Sequence, residues 1–457
     1  MSRYFDQGNP AKLLRDYPIG SAFRDGPGRL APDALRDLQE RRFGKVIKRA
    51  WQIPFYRRRW MAAGLTHRDI RTLDDLPNIP VFTKSDLIAS VAADPPLGDY
   101  HGMGDTRQPT FRTVMHTTSG TTGDPQPLFF GARDREIQNI LLARAYLLQG
   151  LRADDVVHSV YGFGMVNGGH YIREAILHYT DALLLSAGTG AETRSRQQID
   201  LMHRFGATVL VGFSDFIRKL ARVATEAGLE PGQDIPVRMI SGHLDQASRD
   251  DLAAAWGGVE TYDWYGVGDT GIIAAEGPTR DGLYLWEDAH FVEILDTENA
   301  RPVDEGITGN LCVTVLFKDT IYPIIRFNTQ DLTQLLPVDP ASGIQFRRIT
   351  GFRGRSDNMV KLRGVNVYPT AISELLQVVD GVTGEYVCRL DRSATGDEMT
   401  VIVEHEAIDS RASDRLSEHL SQQLGVRIAV ELVGPGKTAV LTGLEERQKP
   451  KRLIDVR

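Results

Sequence analysis

The sequence predicts an α/β protein that has a large N-terminal domain and a small α+β C-terminal domain. Strands and helices alternate between residues 156 and 241, which is typical of a mainly parallel sheet with crossover helices. Short strands with turns between them follow Gly282 and predict a β-rich subdomain. The polar segment at residues 351–357 is the best linker candidate, and the about one hundred residues that follow it have the size of an independent domain. We therefore expect two domains, residues 1–354 and residues 355–457.

Length and composition exclude several classes of protein. The chain has 457 residues, which is too long for one compact core. Its formal net charge of −7 argues against a general surface for nucleic acid or membrane. The polar N-terminus does not resemble a signal peptide, and no apolar run approaches the ~20 residues of a membrane-spanning helix. Cys312 and Cys388 lack metal-ligand spacing and fit a reducing compartment, so we expect a cytoplasmic protein.

The N-terminal part is predicted to be helical. Apolar residues at helical spacing predict a helix over Pro32–Ala50, with arginine and lysine on its solvated faces. Residues 54–59 should form a short basic helix, and residues 73–82, which contain two prolines, should be irregular. Thr83 is placed to cap a helix that continues to residue 91, because Asp86 can bond back to the cap.

Two predicted strands, residues 114–117 and 128–130, flank a polar segment with the sequence HTTSGTTGDPQP at residues 116–127. Five Thr or Ser hydroxyls surround two glycines there, which is unsuitable for a core. Backbone N–H groups and hydroxyls can surround an anion, and each hydrogen bond to a charged group contributes about 1.5–3 kcal/mol. Composition alone also fits a solvated turn. A phosphate cradle in this segment would use Ser119, Gly120, Thr121, Thr122 and Gly123.

The alternating region follows a helix that is predicted over residues 134–149, with Asp134 as its cap. Strands of this region are predicted at residues 156–160, 182–185, 208–212 and 237–241, and helices at residues 171–179, 193–205 and 215–227. Later strands are predicted at residues 283–286, 291–295, 310–317, 324–327, 385–390, 399–403 and 427–433, and later helices at residues 369–379 and 413–424. Ligands of parallel sheets bind at the carboxyl ends of the strands, where the loops 161–169, 212–215 and 241–245 should lie.

Two short motifs resemble nucleotide sites when they are taken alone. Gly266-x-Gly-x-x-Gly271 matches the dinucleotide fingerprint, but no clear crossover helix follows it, so an NAD-dependent dehydrogenase is the weakest hypothesis. Gly436-Lys-Thr438 resembles the end of a phosphate-binding loop, but Glu431 stands where the first glycine is required. We interpret this second motif as a turn.

The order of several motifs along the chain is more specific than any one of them. The polar segment is followed by YDWYGVGD at residues 262–269, YPIIRFNTQDL at 322–332, GRSDNMVKLRGVNVYP at 354–369 and QKPKR at 448–452. This succession resembles the adenylate-forming (acyl-CoA synthetase) superfamily, and within it the phenylacetate–CoA ligase family. The resemblance implies an N-terminal adenylation domain, a mobile C-terminal lid domain, and the use of ATP, Mg²⁺ and CoA. A carboxylic acid would attack the α-phosphate of ATP, and the acyl-adenylate would then pass its acyl group to the CoA thiol.

The resemblance also implies roles for single residues. Beside the phosphate cradle, the nucleotide should be bound by Ser241, Gly242, His243, Asp263, Trp264, Tyr265, Gly266, Asp331 and Arg355, the last two at the ribose. Asp269 stands where the family has Glu and should organise Mg²⁺. Lys449 should reach the reacting carboxylate and the α-phosphate, since a mobile point charge can be withdrawn after adenylation. Taken singly, these residues also fit a surface ion pair, a solvated lysine and, for Asp269, the cap of a helix from Thr270.

The same resemblance implies a hinge near Asp357. One orientation of the C-terminal domain inserts Lys449, and the other presents a CoA face with Lys361 and Gly364, where a glycine permits close approach of the thiol. The acyl pocket should be built from the strand-end loops by Tyr161, Phe163, Gly164, Val166, Gly168, Gly212 and Phe213. Aromatic walls around glycines would suit a flat aryl or arylacetic acid. His243 would either read a polar group on that acid or be a structural histidine.

Departures from the family pattern keep other hypotheses open. Asp269 is one methylene shorter than Glu, Gly268 lacks a hydroxyl, and Asp124 puts an acid in the phosphate cradle. One alternative is an adenylating ligase whose acceptor is an amine or a carrier-protein thiol. Another is a non-catalytic relative that only binds a nucleotide. The expected partners are a small aryl acid and CoA or another nucleophile, and the family resemblance is compatible with a homodimer.

Overall fold

The computed structural model describes residues 4–103, 112–118, 125–244, 249–357, 360–363, 365–369, 372–376, 379–393, 396–443 and 451–457. Two compact units are present. Unit 1 comprises Met1–Asp155, Phe163–Leu184 and Tyr262–Phe352. Unit 2 comprises Val156–Gly162, Leu185–Thr261 and Arg353–Arg457. The last boundary falls close to the predicted one, but unit 2 also contains earlier parts of the chain, so the two-domain division at residue 354 stays a prediction.

The helices are α1 (Tyr4–Gln7), α2 (Pro10–Asp16), α3 (Gly20–Asp25), α4 (Pro32–Ala50), α5 (Pro54–Ala62), α6 (Lys84–Ala93), α7 (Ala132–Leu148), α8 (Gly168–Tyr179), α9 (Ser195–Phe205), α10 (Ser214–Glu226), α11 (Arg249–Ala255), α12 (Ile372–Leu376), α13 (Ser410–Leu424) and α14 (Ala439–Thr442). Short 3₁₀ helices cover Pro27–Arg29, Leu73–Asn78 and Pro340–Ser342. No helix of the described residues is long and apolar enough to cross a membrane.

The strands are β1 (Thr113–Thr117), β2 (Pro127–Gly131), β3 (Val156–Ser159), β4 (Leu183–Ser186), β5 (Val209–Phe213), β6 (Met239–His243), β7 (Glu260–Val267), β8 (Gly271–Glu276), β9 (Leu283–Leu285), β10 (His290–Leu295), β11 (Thr308–Val315), β12 (Ile324–Leu336), β13 (Arg348–Ile349), β14 (Val360–Leu362), β15 (Val365–Val367), β16 (Val382–Ser393), β17 (Gly396–His405), β18 (Ala429–Val433) and β19 (Leu453–Asp455).

Apolar spacing and capping residues predict the N-terminal helices α4 and α6 correctly. α4 has the predicted bounds. The cap of α6 is also confirmed, because the Thr83 amide donates to Asp86 Oδ2 over 2.8 Å and the Thr83 hydroxyl takes part in the same capping box. The predicted cap of α7 is wrong. That helix begins at Ala132, and Asp134 lies inside its first turn, fully buried, where it accepts a hydrogen bond from the Thr320 hydroxyl at 2.7 Å.

Unit 1 contains a mostly antiparallel sheet with the strand order β10-β11-β12-β13-β9-β8-β7. β7 and β8 form a hairpin, and the Gly266-x-Gly-x-x-Gly271 motif spans its turn. A strand therefore follows the motif, whereas a dinucleotide site needs a helix N-terminus there to hold the pyrophosphate. The interpretation of Asp269 as the cap of a helix from Thr270 is wrong for the same reason.

Unit 2 contains the parallel strands in the order β6-β5-β3. The crossover helices α9, α10 and α11 pack on them around a core that includes Ile217, Leu220 and Trp256, as the alternating pattern predicts. Gly212 on β5 lies beside Gly242 on β6, and a Cβ at position 242 would overlap the carbonyl oxygen of Gly212. The close approach of these two strands therefore requires glycine at Gly242.

The C-terminal part of unit 2 has a four-stranded sheet in the order β18-β17-β16-β19. β16 pairs antiparallel with β17, and the two outer strands pair parallel with their neighbours. The Gly436-Lys-Thr438 motif is a turn, as predicted. Its amides at Gly436 and Thr438 donate to the carboxylate of Glu404 over 2.8 and 2.7 Å, so this protein carboxylate occupies the anion-binding geometry of the turn.

A buried ion pair fixes α7 in unit 1. The Nη1 and Nη2 atoms of Arg144 donate to the carboxylate of Asp288, at 2.8 and 3.0 Å. Both side chains are fully buried. We expect Asp288→Ala to lower the free energy of unfolding by about 3–5 kcal/mol, because it leaves the Arg144 charge buried and unpaired. Asp200→Ala, which breaks the exposed Arg196–Asp200 pair, should change it by less than about 1 kcal/mol. Urea denaturation of both variants checks this, and equal losses would contradict it.

Candidate active site

The carboxylate of Asp269 lies in the turn between β7 and β8 of unit 1 and is only 5% exposed. Its Oδ1 atom accepts two hydrogen bonds, from Gln126 Nε2 at 2.8 Å and from the Tyr322 hydroxyl at 2.7 Å. The main-chain oxygen of Asp269 accepts a third hydrogen bond from Lys318 Nζ, also at 2.7 Å. Three donors from distant parts of the sequence thus hold one predicted catalytic residue.

The surroundings of Asp269 are buried and charged. Lys318 is fully buried, and its ammonium lies 4.4 Å from the ring centre of Tyr322 and 5.1 Å from that of Phe130. Burial lowers the pKa of Lys318 to about 8, although the carboxylates of Asp134 and Asp269 oppose this. Burial also raises the pKa of Asp134 to about 6. Sequence reasoning missed both partners: Lys318 lies outside the quoted motifs, and Gln126 lies in the polar segment 116–127 but was given no role there.

Two predicted nucleotide residues of unit 1 are in direct contact. The Tyr265 hydroxyl donates to Asp331 Oδ2 at 2.7 Å, and it lies 3.2 Å from the hydroxyl oxygen of Thr329. Asp331 is 5% exposed, so its interpretation as half of a surface ion pair does not fit. The neighbouring Asp263 on β7 is anchored through its amide, which donates to Glu276 Oε2 at 2.8 Å. Trp264 and Gly266 lie on the same strand.

The acyl-pocket residues of unit 2 form an aromatic cluster at the ends of the parallel strands. The rings of Phe213 and His243 are stacked, with 4.9 Å between their centres and 20° between their planes. The Tyr161 hydroxyl lies 2.9 Å from His243 Nδ1 and 3.3 Å from the carbonyl oxygen of Gly212. Ser241 and Gly242 lie just before His243 on β6. The structure therefore brings together four predicted site residues that are up to 82 positions apart.

The acyl-pocket residues of unit 1 surround a histidine that sequence reasoning missed. His170 Nε2 lies 2.9 Å from the carbonyl oxygen of Gly164, and its ring centre is 5.2 Å from that of Phe163. Val166 pairs with Thr117 at the end of β1, so this loop lies beside the strand that leads into the predicted phosphate cradle. Gly168 is the first residue of α8.

Several predicted residues lie outside the described part of the chain: Ser119, Gly120, Thr121, Thr122, Gly123, Asp124, Gly364 and Lys449. Their roles stay predictions. On either side of the cradle, the Thr118 amide donates to the Gln126 carbonyl oxygen at 3.1 Å, and the Gln126 amide donates to the Thr118 hydroxyl oxygen at 3.2 Å. The described residues on either side of the predicted cradle are therefore paired with each other.

The predicted ribose residue Arg355 and the predicted hinge residue Asp357 form a bidentate ion pair in unit 2. Both hydrogen bonds, from Nε and from Nη2, are 2.7 Å long. Lys361 of the predicted CoA face lies nearby in sequence on β14 and is exposed. The other predicted ribose residue, Asp331, belongs to unit 1.

A second ionic cluster joins two parts of unit 2, and sequence reasoning missed it. Arg452 donates from Nη2 to Asp215 Oδ2 and from Nη1 to Glu385 Oε2, at 3.0 Å each, and from Nη1 to the Tyr386 carbonyl oxygen at 2.8 Å. Arg218 adds a second cation 3.6 Å from Asp215 and 3.5 Å from Glu385. Burial raises the pKa of Glu385, and the nearby Asp215 carboxylate adds to the increase.

The donor set near Asp269 fits Mg²⁺ of a bound nucleotide. Among the described residues, no group of three or more His, Cys, Asp or Glu side chains could hold a metal by itself. Mg²⁺ in nucleotide sites is usually bound through one or two carboxylates together with substrate phosphates and water. A single, firmly held carboxylate such as Asp269 meets that requirement.

Comparisons with known proteins agree with this geometry. A family model described as "AMP-binding enzyme C-terminal domain" matches residues 364–457. The phenylacetate–coenzyme A ligase of Pseudomonas putida is 30% identical over 414 residues, which cover 87% of this chain and 89% of that protein. The corresponding ligase of Aromatoleum evansii is 28% identical over 456 residues, which cover 94% and 98% of the two chains.

Solved structures of a 2-hydroxyisobutyryl-CoA ligase are also similar. Its complex with R3-HIB-AMP in the postadenylation state has a TM-score of 0.80 and 27% identity, covering 97% of this chain and 92% of that chain. The relatives and the fold show an adenylate-forming enzyme, an AMP-forming acid–thiol ligase that uses ATP and CoA. Within that class, the chain belongs to the phenylacetate–coenzyme A ligase family.

Proposed function

We propose that this enzyme activates an aromatic or arylacetic acid as its acyl-adenylate and transfers the acyl group to CoA. The observation that carries the choice of acid is the stacked pair of Phe213 and His243, joined by Tyr161 at the strand ends of unit 2. A flat ring gains contact area and an edge or stacking interaction of about 0.5–1.5 kcal/mol beside such rings. The names of the relatives support the same class of acid.

The adenylation half-reaction has the following residues in this proposal. Ser119–Gly123 binds the phosphates, Asp331 and Arg355 bind the ribose, and the segments at Ser241–His243 and Asp263–Gly266 line the adenine. Asp269 holds Mg²⁺, which offsets negative charge on the phosphates when it is bound. Lys449 then stabilises the charge that develops as the acid attacks the α-phosphate.

We test the substrate class by exchange of pyrophosphate into ATP over a panel of benzoic, arylacetic and amino-substituted aryl acids, together with 2-hydroxyisobutyric acid. We expect exchange with aryl acids and CoA-dependent release of AMP. Product analysis without CoA, with an amine present, separates a ligase that makes amides. No exchange with any aryl acid, or exchange with the short hydroxy acid alone, would contradict the proposal.

Within this assay, a substitution of His243 tests whether this residue binds polar groups of the acid or is a structural histidine. We expect His243→Phe to keep the stacking on Phe213 but to remove the hydrogen bond to Tyr161. Activity toward ring-substituted polar acids should fall by about 10-fold or more, as for a lost hydrogen bond to a ligand, while activity toward unsubstituted acids changes little. An equal loss for both kinds of acid would favour the structural role.

The ribose contact predicts a specific effect on ATP. Asp331→Asn should raise KM for ATP by about 10- to 100-fold, because hydrogen bonds to a charged group are worth about 1.5–3 kcal/mol. Tyr265→Phe, which removes one donor to Asp331, should have a smaller effect of the same kind. Initial rates of pyrophosphate exchange at varied ATP measure both, with Asp200→Asn as an exposed control. An unchanged KM in Asp331→Asn would remove this residue from the nucleotide site.

We also assign a role to the Arg452 cluster in the proposed rotation about Asp357. Arg452 lies three residues after Lys449, and it binds Asp215 directly beside the acyl-pocket residue Phe213. Rotation of the C-terminal part would separate Arg452 from Asp215. We infer that the cluster stabilises one of the two proposed orientations, and we assign it to adenylation because Arg452 closely follows Lys449 in the sequence.

This role predicts opposite effects on the two half-reactions. Asp215→Asn should slow pyrophosphate exchange by about 10-fold or more, while thioester formation from a supplied acyl-adenylate is unchanged or faster. Lys449→Ala should impair exchange more strongly, with the same asymmetry. Arg392→Ala, which breaks an exposed pair with Asp397, is the control. Loss of thioester formation alone in Asp215→Asn would assign the cluster to the other orientation.

Location and assembly complete the proposal. Both cysteines of the described residues, Cys312 and Cys388, are buried free thiols, which supports a reducing, cytoplasmic setting. A homodimer is proposed by analogy with the family, and sedimentation analysis of the purified protein tests it.

A further inference from the structure

The two oxygens of the Asp269 carboxylate have different environments. Oδ1 accepts from both Gln126 and Tyr322. Among the described residues, no donor contacts Oδ2. A carboxylate oxygen offers two lone-pair sites, so these two donors saturate Oδ1 and leave Oδ2 as the atom that can bind a cation.

A second acceptor belongs to the side-chain amide that donates to Asp269. Gln126 is 1% exposed, and its Nε2 atom is used for Asp269, while its Oε1 atom is buried without a hydrogen-bond partner among the described residues. A buried acceptor without a donor costs about 1–3 kcal/mol. Amide and carboxylate oxygens are the ligands that Mg²⁺ prefers. A cation at Oδ2 could therefore also satisfy Oε1 of Gln126, directly or through a bound water.

The donors that orient Asp269 are themselves rigidly held. Tyr322 is fully buried, and its ring centre lies 5.2 Å from that of Tyr100 and 4.4 Å from the Lys318 ammonium. The same ammonium holds the main-chain oxygen of Asp269 at 2.7 Å. These contacts fix the main-chain oxygen and Oδ1 of Asp269. The orientation of Oδ2 is therefore fixed as well.

We propose that Tyr322 and Gln126 are positioning residues that direct Asp269 Oδ2 at the Mg²⁺ of the nucleotide, and that Gln126 Oε1 is a second oxygen for this ion. The inference rests on the proposed role of Asp269 in binding Mg²⁺. It also accounts for the shorter acid at this position, since a short carboxylate held by two donors loses less side-chain entropy on binding than a longer one.

The test uses Mn²⁺ as a probe, with the full-length enzyme and a non-hydrolysable ATP analogue. Free Mn²⁺ is measured by electron paramagnetic resonance for the wild type, Tyr322→Phe and Gln126→Ala, with Tyr284→Phe as a buried tyrosine control. We expect both site variants to bind Mn²⁺ about 10- to 100-fold more weakly, as for other residues that orient metal ligands. The control should match the wild type.

A second readout separates positioning from general damage. In pyrophosphate exchange, Tyr322→Phe should raise the half-saturating Mg²⁺ concentration by a similar factor, with thermal stability near that of Tyr284→Phe. Unchanged Mn²⁺ affinity in a folded Tyr322→Phe variant overturns the role of Tyr322. If this variant does not fold, Gln126→Ala carries the test, and its unchanged affinity overturns the proposal.

The two proposals fail in different ways. Weaker Mn²⁺ binding in the variants, with no exchange of pyrophosphate by the wild type on any acid, supports the metal site and contradicts the proposed function. Normal exchange by the wild type, with equal Mn²⁺ affinity in all variants, contradicts the metal site alone.

Discussion

Burial of the Asp269 carboxylate is the constraint on which the arrangement of unit 1 depends. A carboxyl group that is only 5% exposed is costly to bury unless hydrogen-bond donors contact it. The carboxylate accepts from Gln126, just before β2, and from Tyr322 in the loop between β11 and β12, and Lys318 of the same loop donates to the main-chain oxygen of Asp269. Asp269 lies in the turn of the β7–β8 hairpin, and Asp331 on strand β12 accepts a hydrogen bond from Tyr265 on β7. The same hydrogen bonds therefore connect the strands of unit 1 and hold the predicted site residues Asp269 and Asp331.

Unit 2 brings aromatic rings together at the ends of its parallel strands. Close approach of β5 and β6 at Gly212 and Gly242 brings Phe213 and His243 side by side. The helix that follows β5 begins at Ser214, and its second residue, Asp215, binds Arg452 near the C-terminus. One ionic cluster thus connects the start of α10 with β16 and with Arg452 near the C-terminus.

Sequence patterns predicted elements better than they predicted the partners of buried polar groups. α4 and the capping box of Thr83 depend on neighbours within a few residues, and both are confirmed. Asp134 was predicted as a cap because acids favour helix starts, but its partner is Thr320, which lies 186 positions away. The Gly266-x-Gly-x-x-Gly271 motif turned out to be a hairpin turn, because the strand pairing of β7 with β8 overrides a local fingerprint.

The sequence by itself determined the α/β class, the order of most elements and the family, because periodicity, caps and ordered motifs are local or need only their spacing. It also predicted Asp269 and Asp331 as nucleotide-site residues and aromatic residues for the proposed acyl pocket. Only the tertiary structure decided that Gln126, Lys318 and Tyr322 hold Asp269, and that Arg452 binds Asp215. The physical reason is that a buried charge selects its partners by proximity in space, and sequence spacing carries no record of that proximity.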